Sequence, residues 1–334
     1  MIRWSKLLYV IGFILFIGLF SAAVLYASKM NEVSKKTNAG TIPSYKYHFV
    51  LVPEEMDNDY WRLVEKGAKA AAKKHHVLLE YKGPKQSNID EHLKELKIAG
   101  ASRVDGILTQ GYNDQQFSPV INNLENKGIP VITVDTDAPS SNRRAYIGSD
   151  NYYSGFIAGK ALVADTKGKI NVAIITGSFQ ASHQQLRVKG FKDAIRKEKR
   201  VKIIAIEESK ITRIRAAEKA NKIITEHPET NAFFGTSALD GIGIAQTVEH
   251  LNRQDSMYII AFDTIEDTIN DIEKGVIDAT VMQKPYEMGY KAVEMMVEIE
   301  EGKRTIKINY TETRVIHKSD LPTAIMEQQK RTLE

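Results

Sequence analysis

The chain has 334 residues, of which 43% are hydrophobic and 26% are charged, and its net charge is +4. This composition is that of a globular protein long enough for two domains and an appendage. Lys and Arg are interspersed with Asp and Glu, so nothing favours nucleic acid as a partner. The absence of cysteine excludes a disulfide framework, a thiolate metal site, a cysteine nucleophile and a lipid-modified cysteine anchor.

The N-terminus carries an apolar stretch, residues 7–27, that contains no charged residue. Its length matches the ~20 residues that a membrane-spanning helix needs, and Arg3 and Lys6 before it indicate a cytoplasmic N-terminus. We interpret residues 1–28 as a signal anchor and residues 29–45 as a flexible stalk, which places the remaining chain outside the cell. A cleaved signal peptide is the alternative, but its apolar core would span only ~7–15 residues.

After the stalk, strand and helix patterns alternate. Strands are predicted over residues 47–52, 77–81, 104–109 and 129–134, with helices over 60–75, 89–100 and 115–126, and a short strand over 146–147. This alternation predicts a parallel sheet with helices on both faces.

The pattern then restarts at residue 151. Helices are predicted over residues 151–164, 184–197, 213–226, 239–251, 264–274 and 286–300, and strands over 170–175, 201–206, 232–234, 257–261, 276–282 and 311–316. The two halves share a layout but not a repeated sequence. The sequence therefore predicts two similar α/β lobes that face each other across a cleft, a common place for a small-molecule site.

Polar residues follow several of the buried strands, where open parallel sheets present their ligand crevice. Asp135 and Asp137 follow the strand at 129–134, Asp263 follows a strand in the second half, and Gln283 ends another. Carboxylates and amides in these places can bind pairs of hydroxyls through charge-assisted hydrogen bonds. An Asp after a strand also commonly caps a turn, which is the alternative here.

Three further places are candidates. Asn58, Tyr60 and Trp61 begin a helix after the first strand, and flat aromatic rings of this kind suit the C–H faces of a sugar, although they could instead belong to the core. Arg187 lies in a helix of the second half, where most arginines are solvated. The loop 235–240 follows the Phe233–Phe234 strand.

Enzyme motifs are missing from the sequence. Gly241-Ile242-Gly243 follows a strand, but Gln246 replaces the third glycine of a dinucleotide-binding fingerprint. The sequence has no phosphate-binding P-loop, HExxH or GxSxG motif, and its eight histidines are scattered. We therefore expect neither an enzyme nor a cofactor or metal site.

Taken together, several stretches resemble the type I periplasmic sugar-binding proteins, the ribose-, galactose- and xylose-binding group related to LacI-type repressor cores. They are KGAKAAAKK, GIPVITVDTDAP, YIGSDNYYSGFIAGK, RVKGF, AFD and TVMQKPYEMGYKAV. The resemblance covers residues 47 to about 316. It implies two Rossmann-like lobes joined by three hinge crossings, with residues 46–149 and 284–311 in the N-terminal lobe and residues 150–283 and 312–334 in the C-terminal lobe. A LacI-type repressor is excluded, because an apolar segment stands where its DNA-binding motif would be.

The resemblance also implies which residues contact the sugar. The ribose-binding pattern falls on Asn58, Tyr60, Trp61, Asp135, Arg187, Asp263 and Gln283. Two positions depart from the family pattern. Thr136 stands where the family often has Arg, and Ser237 stands where it has Asn, with Asp240 nearby as a replacement.

We therefore expect an extracellular, membrane-anchored protein that closes around a monosaccharide, with a pentose such as arabinose, xylose or ribose favoured. The lack of a lipidated cysteine and the uncleaved anchor suit lasting contact with one membrane partner. The chain is in this respect similar to the sugar-sensing members that regulate a histidine kinase of a two-component system. The alternative is the substrate-binding receptor of an ABC transporter, whose partner would be the permease.

Overall fold

The computed structural model describes residues 2–37 and 45–322, which divide into two compact units between Tyr45 and Lys46. The first unit contains one helix, α1 (Ile2–Thr37). Within it, Phe13–Met30 is long and apolar enough to cross a membrane, and its side chains are exposed in the unit. The helix continues beyond the apolar stretch to Thr37, so the first part of the predicted flexible stalk is helical. Between Gly18 and Gly40 the sequence contains no glycine or proline that would interrupt the helix. Residues 38–44 lie outside the described residues.

The second unit contains two six-stranded sheets with helices on both faces. Its strands are β1 (Tyr47–Val52), β2 (Val77–Tyr81), β3 (Gly106–Thr109), β4 (Val131–Val134), β5 (Ala145–Gly148), β6 (Ile170–Thr176), β7 (Val201–Glu208), β8 (Ala232–Gly235), β9 (Tyr258–Phe262), β10 (Ala279–Met282), β11 (Ile308–Tyr310) and β12 (Arg314–His317). Its α-helices are α2 (Asp59–Lys74), α3 (Ile89–Ala99), α4 (Asp114–Asn126), α5 (Asn151–Asp165), α6 (Ser182–Ile195), α7 (Arg213–Glu226), α8 (Ala238–His250), α9 (Glu266–Lys274) and α10 (Pro285–Glu300).

The strand order is β11-β5-β4-β3-β1-β2 in one sheet and β12-β10-β9-β8-β6-β7 in the other. All neighbours are parallel except β12, which runs antiparallel to β10. Alternate side chains enter apolar layers on the two faces of each sheet, as Phe49 and Val50 do in β1 and Phe233 and Phe234 do in β8. This confirms the predicted α/β architecture of two parallel-sheet lobes.

The chain crosses between the sheets three times, after β5, after β10 and after β11. Helix α10 returns to the first sheet, where its buried residues Met288, Ala292 and Met296 share a layer with Phe49. The three hinge crossings are thereby confirmed. The precise lobe bounds stay predictions, and the end of the C-terminal lobe, residues 323–334, lies outside the described residues.

Several element bounds differ from the predictions. The strand predicted over 104–109 begins at Gly106, because the Asp105 carboxylate accepts a hydrogen bond from the His48 amide at 2.7 Å and ends the ladder. The strand predicted over 276–282 begins at Ala279, because the amides of Val276 and Ile277 instead bond to Asp271 O in the turn that closes α9.

The last strands also differ from the predictions. The strand predicted over 311–316 is β12, which starts at Arg314. Strand β11 was not predicted, since it has only three residues and lies at the sheet edge with Ile308 and Tyr310 exposed.

Candidate functional site

A cavity lies between the two lobes, at the carboxyl ends of strands from both sheets. It encloses about 430 Å³ of space free of protein atoms, including the part open to solvent. Eight of the ten predicted site residues line it: Asn58, Tyr60, Trp61, Asp135, Arg187, Ser237, Asp263 and Gln283. Thr136 and Asp240 do not.

The start of α2 places two aromatic rings at this cavity. Asn58 is the N-cap residue, and its Oδ1 accepts a hydrogen bond from the Tyr60 amide at 3.0 Å, which fixes the first turn. Tyr60 and Trp61 meet edge to face, with ring centroids 6.0 Å apart. Both rings are largely buried, so a ligand in the cavity would contact ring edges and faces that the core already holds in place.

Asp135 directly follows β4 and is buried. Its Oδ1 accepts a hydrogen bond from the Tyr60 hydroxyl at 2.6 Å, and its Oδ2 accepts bonds from Gln110 Nε2 and Thr136 Oγ1, both at 3.0 Å. Burial alone would raise the pKa of Asp135, but the charge of Arg187 and the bonds from Tyr60 and Gln110 hold that pKa below its usual value. The group is therefore a carboxylate at neutral pH.

Asp263 is the counterpart of Asp135 in the other lobe. Each residue directly follows a strand, and each has a left-handed backbone, with φ of 67° at Asp135 and 68° at Asp263. Each amide donates to the neighbouring strand, to Ile147 O and Val281 O respectively, at 2.9 Å. This shared geometry turns both carboxylates toward the space between the sheets.

Burial raises the pKa of Asp263 to about 6, although the charge of Arg187 and a hydrogen bond from Gln283 act in the opposite direction. Gln283 Nε2 donates to Asp263 Oδ1 at 2.7 Å. Because Gln283 follows β10, its amide joins Asp263 at the second hinge crossing.

Arg187 is a buried cation from α6. Its guanidinium lies 4.2 Å from the ring centroid of Phe262 and donates to Asn151 Oδ1 at 2.9 Å, Thr236 O at 2.9 Å and Gln283 Oε1 at 3.1 Å. The sequence alternative of a solvated helix arginine is therefore wrong. A fixed guanidinium between two buried carboxylates is well placed to donate to a hydroxylated ligand.

Thr136 and Asp240 make contacts outside the cavity. Thr136 Oγ1 lies 2.8 Å from His183 Nδ1, a contact that joins the two lobes. Asp240 is fully buried, and its carboxylate accepts hydrogen bonds from Ser209 Oγ at 2.5 Å and Ser237 Oγ at 2.8 Å. Burial raises the pKa of Asp240 to about 6.

The cavity also involves polar residues that the sequence reasoning missed. Glu54, His183 and Gln184 line it, and Gln110 lies behind Asp135. Burial raises the pKa of Glu54 to about 7 and lowers the pKa of His183 to about 3, so His183 is neutral. Gln110 and Glu54 follow β3 and β1. A search for polar residues after buried strands, which identified Asp135, would therefore have found both.

This arrangement suits a neutral, polyhydroxylated ring. It offers aromatic surface, two carboxylates that accept hydrogen bonds and a guanidinium that donates them. In the described part of the chain, no cluster of three or more His, Asp or Glu side chains could hold a metal ion.

Comparisons with known proteins agree with this geometry. The sequence profile of the periplasmic binding protein domain matches residues 49–304. The D-allose-binding periplasmic protein of Escherichia coli is 22% identical over 271 residues, which are 78% of this chain and 87% of the relative.

Two solved structures are more similar in sequence. GanP, a glucose-galactose binding protein from Geobacillus stearothermophilus, is 63% identical, with a TM-score of 0.81 over 84% of this chain and 100% of GanP. A chain of the XylFII-LytSN complex is 38% identical, with a TM-score of 0.79 over 83% of this chain and 100% of that chain. Members of this family bind their ligands and do not transform them. The chain belongs to the type I periplasmic sugar-binding protein family.

Proposed function

We propose that this chain is a membrane-anchored receptor that closes around one monosaccharide and reports its presence to a membrane histidine kinase. The observation that carries the binding part is the pairing of Asp135 and Asp263. The two carboxylates come from different lobes, share one backbone geometry and flank the buried Arg187. A sugar that bonds to both favours the closed form by the contacts it makes to the two lobes at once.

The ligand is a pentose or a hexose. The sequence favoured a pentose, and arabinose-bound structures occur among the more distant neighbours, one of them 25% identical. The 63% identity to GanP, a glucose-galactose binding protein, supports an aldohexose more strongly. We therefore place galactose and glucose first among the ligands to be tested, followed by xylose, arabinose and ribose.

Two observations support anchoring and the kinase partner. Helix α1 contains an apolar stretch of membrane-spanning length, and the chain has no cysteine for a lipid anchor. The XylFII-LytSN complex shows that a relative of this chain assembles with another protein. An ABC permease is the second candidate partner, because the ribose import binding protein of Escherichia coli is 23% identical over 281 residues.

Calorimetry with the full-length protein tests the binding part. The protein should be placed in lipid nanodiscs, because alkyl glycoside detergents carry sugar head groups that could occupy the site. One sugar should bind per chain. Failure of all five sugars to bind would contradict the proposed function.

Deletion of the gene tests the partner. Sugar uptake and sugar-induced transcription are measured in cells whose permease genes are expressed from an independent promoter. A sensor leaves uptake intact and abolishes induction. Lost uptake in these cells would instead support the transport receptor and end the sensor proposal.

A further inference from the structure

We call the cavity lined by Asp135 and Asp263 the sugar cavity. A second cavity, which we call the outer cavity, lies between the lobes beside it. It encloses about 760 Å³ of space free of protein atoms, including the part open to solvent. Tyr112 and residues 87–90 of the N-terminal lobe line it, together with Ser178 and Glu208 of the C-terminal lobe. An aromatic ring among hydroxyl, amide and carboxylate groups repeats the chemistry of the sugar cavity.

Ile211 separates the two cavities. Among the described residues, it alone lines both of them. The side chain is buried in an apolar cluster with Tyr112 and Phe117 of the opposite lobe. The Ile211 side chain also packs closely against the backbone of Gly177, where an added Cβ atom would lie only 2.7 Å from Ile211 Cγ1.

The backbone that presents Ile211 is strained. Lys210 and Ile211 have φ of 52° and 54°, in the left-handed region that a β-branched residue rarely adopts. The Ile211 amide donates to Ser209 Oγ at 3.1 Å and to Gly177 O at 3.2 Å. Strain of this kind persists where the surrounding structure enforces it, commonly at ligand sites.

Asp240 holds the loop of residues 209–211 in place through hydrogen bonds. Its carboxylate accepts from Ser209, which holds the Ile211 amide, and from Ser237, which lines the sugar cavity. Asp240 is thus a positioning residue that links the wall of the sugar cavity to the loop that carries Ile211.

We propose that Ile211 restricts the ligand to a single sugar ring, and that the outer cavity becomes a second sugar subsite, continuous with the sugar cavity, when this side chain is removed. The proposal rests on the proposed sugar-binding function. A disaccharide would then place one ring in each cavity, with Tyr112 providing aromatic surface for the second ring.

The test is Ile211→Gly in the full-length protein, studied by calorimetry with galactose, glucose and lactose, a disaccharide of these two sugars. Glycine accepts the left-handed backbone without strain, so the change removes the wall and spares the turn. We expect wild type to bind a monosaccharide and to show no lactose binding, and the Ile211→Gly variant to bind lactose roughly tenfold or more tighter than the weakest binding that the calorimeter detects.

Two further variants make the test specific. Leu239→Ala enlarges the sugar cavity but not the outer cavity, because Leu239 lines only the former, and it should not gain lactose binding. Asp240→Asn weakens the hydrogen bonds that hold the loop, and this variant should gain lactose binding to a smaller extent than Ile211→Gly. If Asp240 had a purely structural role, its substitution would not produce a gain of lactose binding.

Three results would overturn the proposal. They are lactose binding by wild type, an Ile211→Gly variant that binds monosaccharide but not lactose, and an Ile211→Gly variant that binds neither. If wild type bound none of the monosaccharides tested, the proposed function itself would fail. Monosaccharide binding is measured separately from lactose binding, so the two failures can be distinguished.

Discussion

Replacing Asp135 with asparagine should abolish most sugar binding and leave the fold intact. Asn has nearly the shape of Asp and tolerates the left-handed backbone at this position, where φ is 67°, better than Ala would. The change removes a buried charge that accepts bonds from Tyr60 and Gln110 and faces Arg187. Sugar hydroxyls would lose charge-assisted hydrogen bonds to this group.

The expected loss of binding free energy is about 2–4 kcal/mol, which is roughly 30- to 1000-fold in Kd. Calorimetry of the full-length protein measures it, and thermal unfolding by circular dichroism confirms that the variant is folded. Asp57→Asn is the matched control, since Asp57 lies close by in the sequence, makes only a surface ion pair with Arg62 and does not line the cavity. Unchanged affinity in a folded Asp135→Asn variant would refute the placement of the site.

Two more variants test the site. Trp61→Ala should weaken monosaccharide binding more than Tyr112→Ala does, because Trp61 lines the sugar cavity and Tyr112 lines the outer one; calorimetry showing the reverse order would contradict this. Burial raises the pKa of Glu54 from 4.5 to about 7, so its ionisation opposes folding, and the stability present at low pH is lost as the pH rises through about 7. Relative to wild type, Glu54→Gln should therefore gain about 2–3 kcal/mol of unfolding free energy between pH 5 and pH 8, measured by urea unfolding without sugar. An equal difference at both pH values would show that Glu54 is not the buried acid described.

Local patterns of apolar and polar residues in the sequence predicted much of the fold. Buried strands that end in a polar residue identified Asp135 and Asp263, because the strand pattern fixes where a parallel sheet presents its carboxyl edge. The aromatic pair Tyr60 and Trp61 also marked the start of a helix in the sequence, and the structure adds that Asn58 caps it. Strand β11 was not visible in the sequence, since its pairing with β5 depends on a tertiary contact between distant parts of the chain.

The details of the site depended on side-chain direction, which sequence position does not determine. Asp240 lies in the first turn of α8, a few residues after β8, and its carboxylate accepts hydrogen bonds from Ser209 and Ser237 and does not line the cavity. Ile211 gave no polar or aromatic signal at all. Its proposed role rests on a left-handed backbone and on packing against the opposite lobe, and neither is visible in the sequence.

We propose that carboxylates from both lobes hold one monosaccharide at the same time. A crystal structure of the protein with galactose or glucose bound tests it most directly. We expect a single sugar ring in the cavity beside Trp61, with hydroxyls within hydrogen-bonding distance of both Asp135 and Asp263. A sugar that contacts only one of the two carboxylates, or that lies in the outer cavity with the inner one empty, would contradict it.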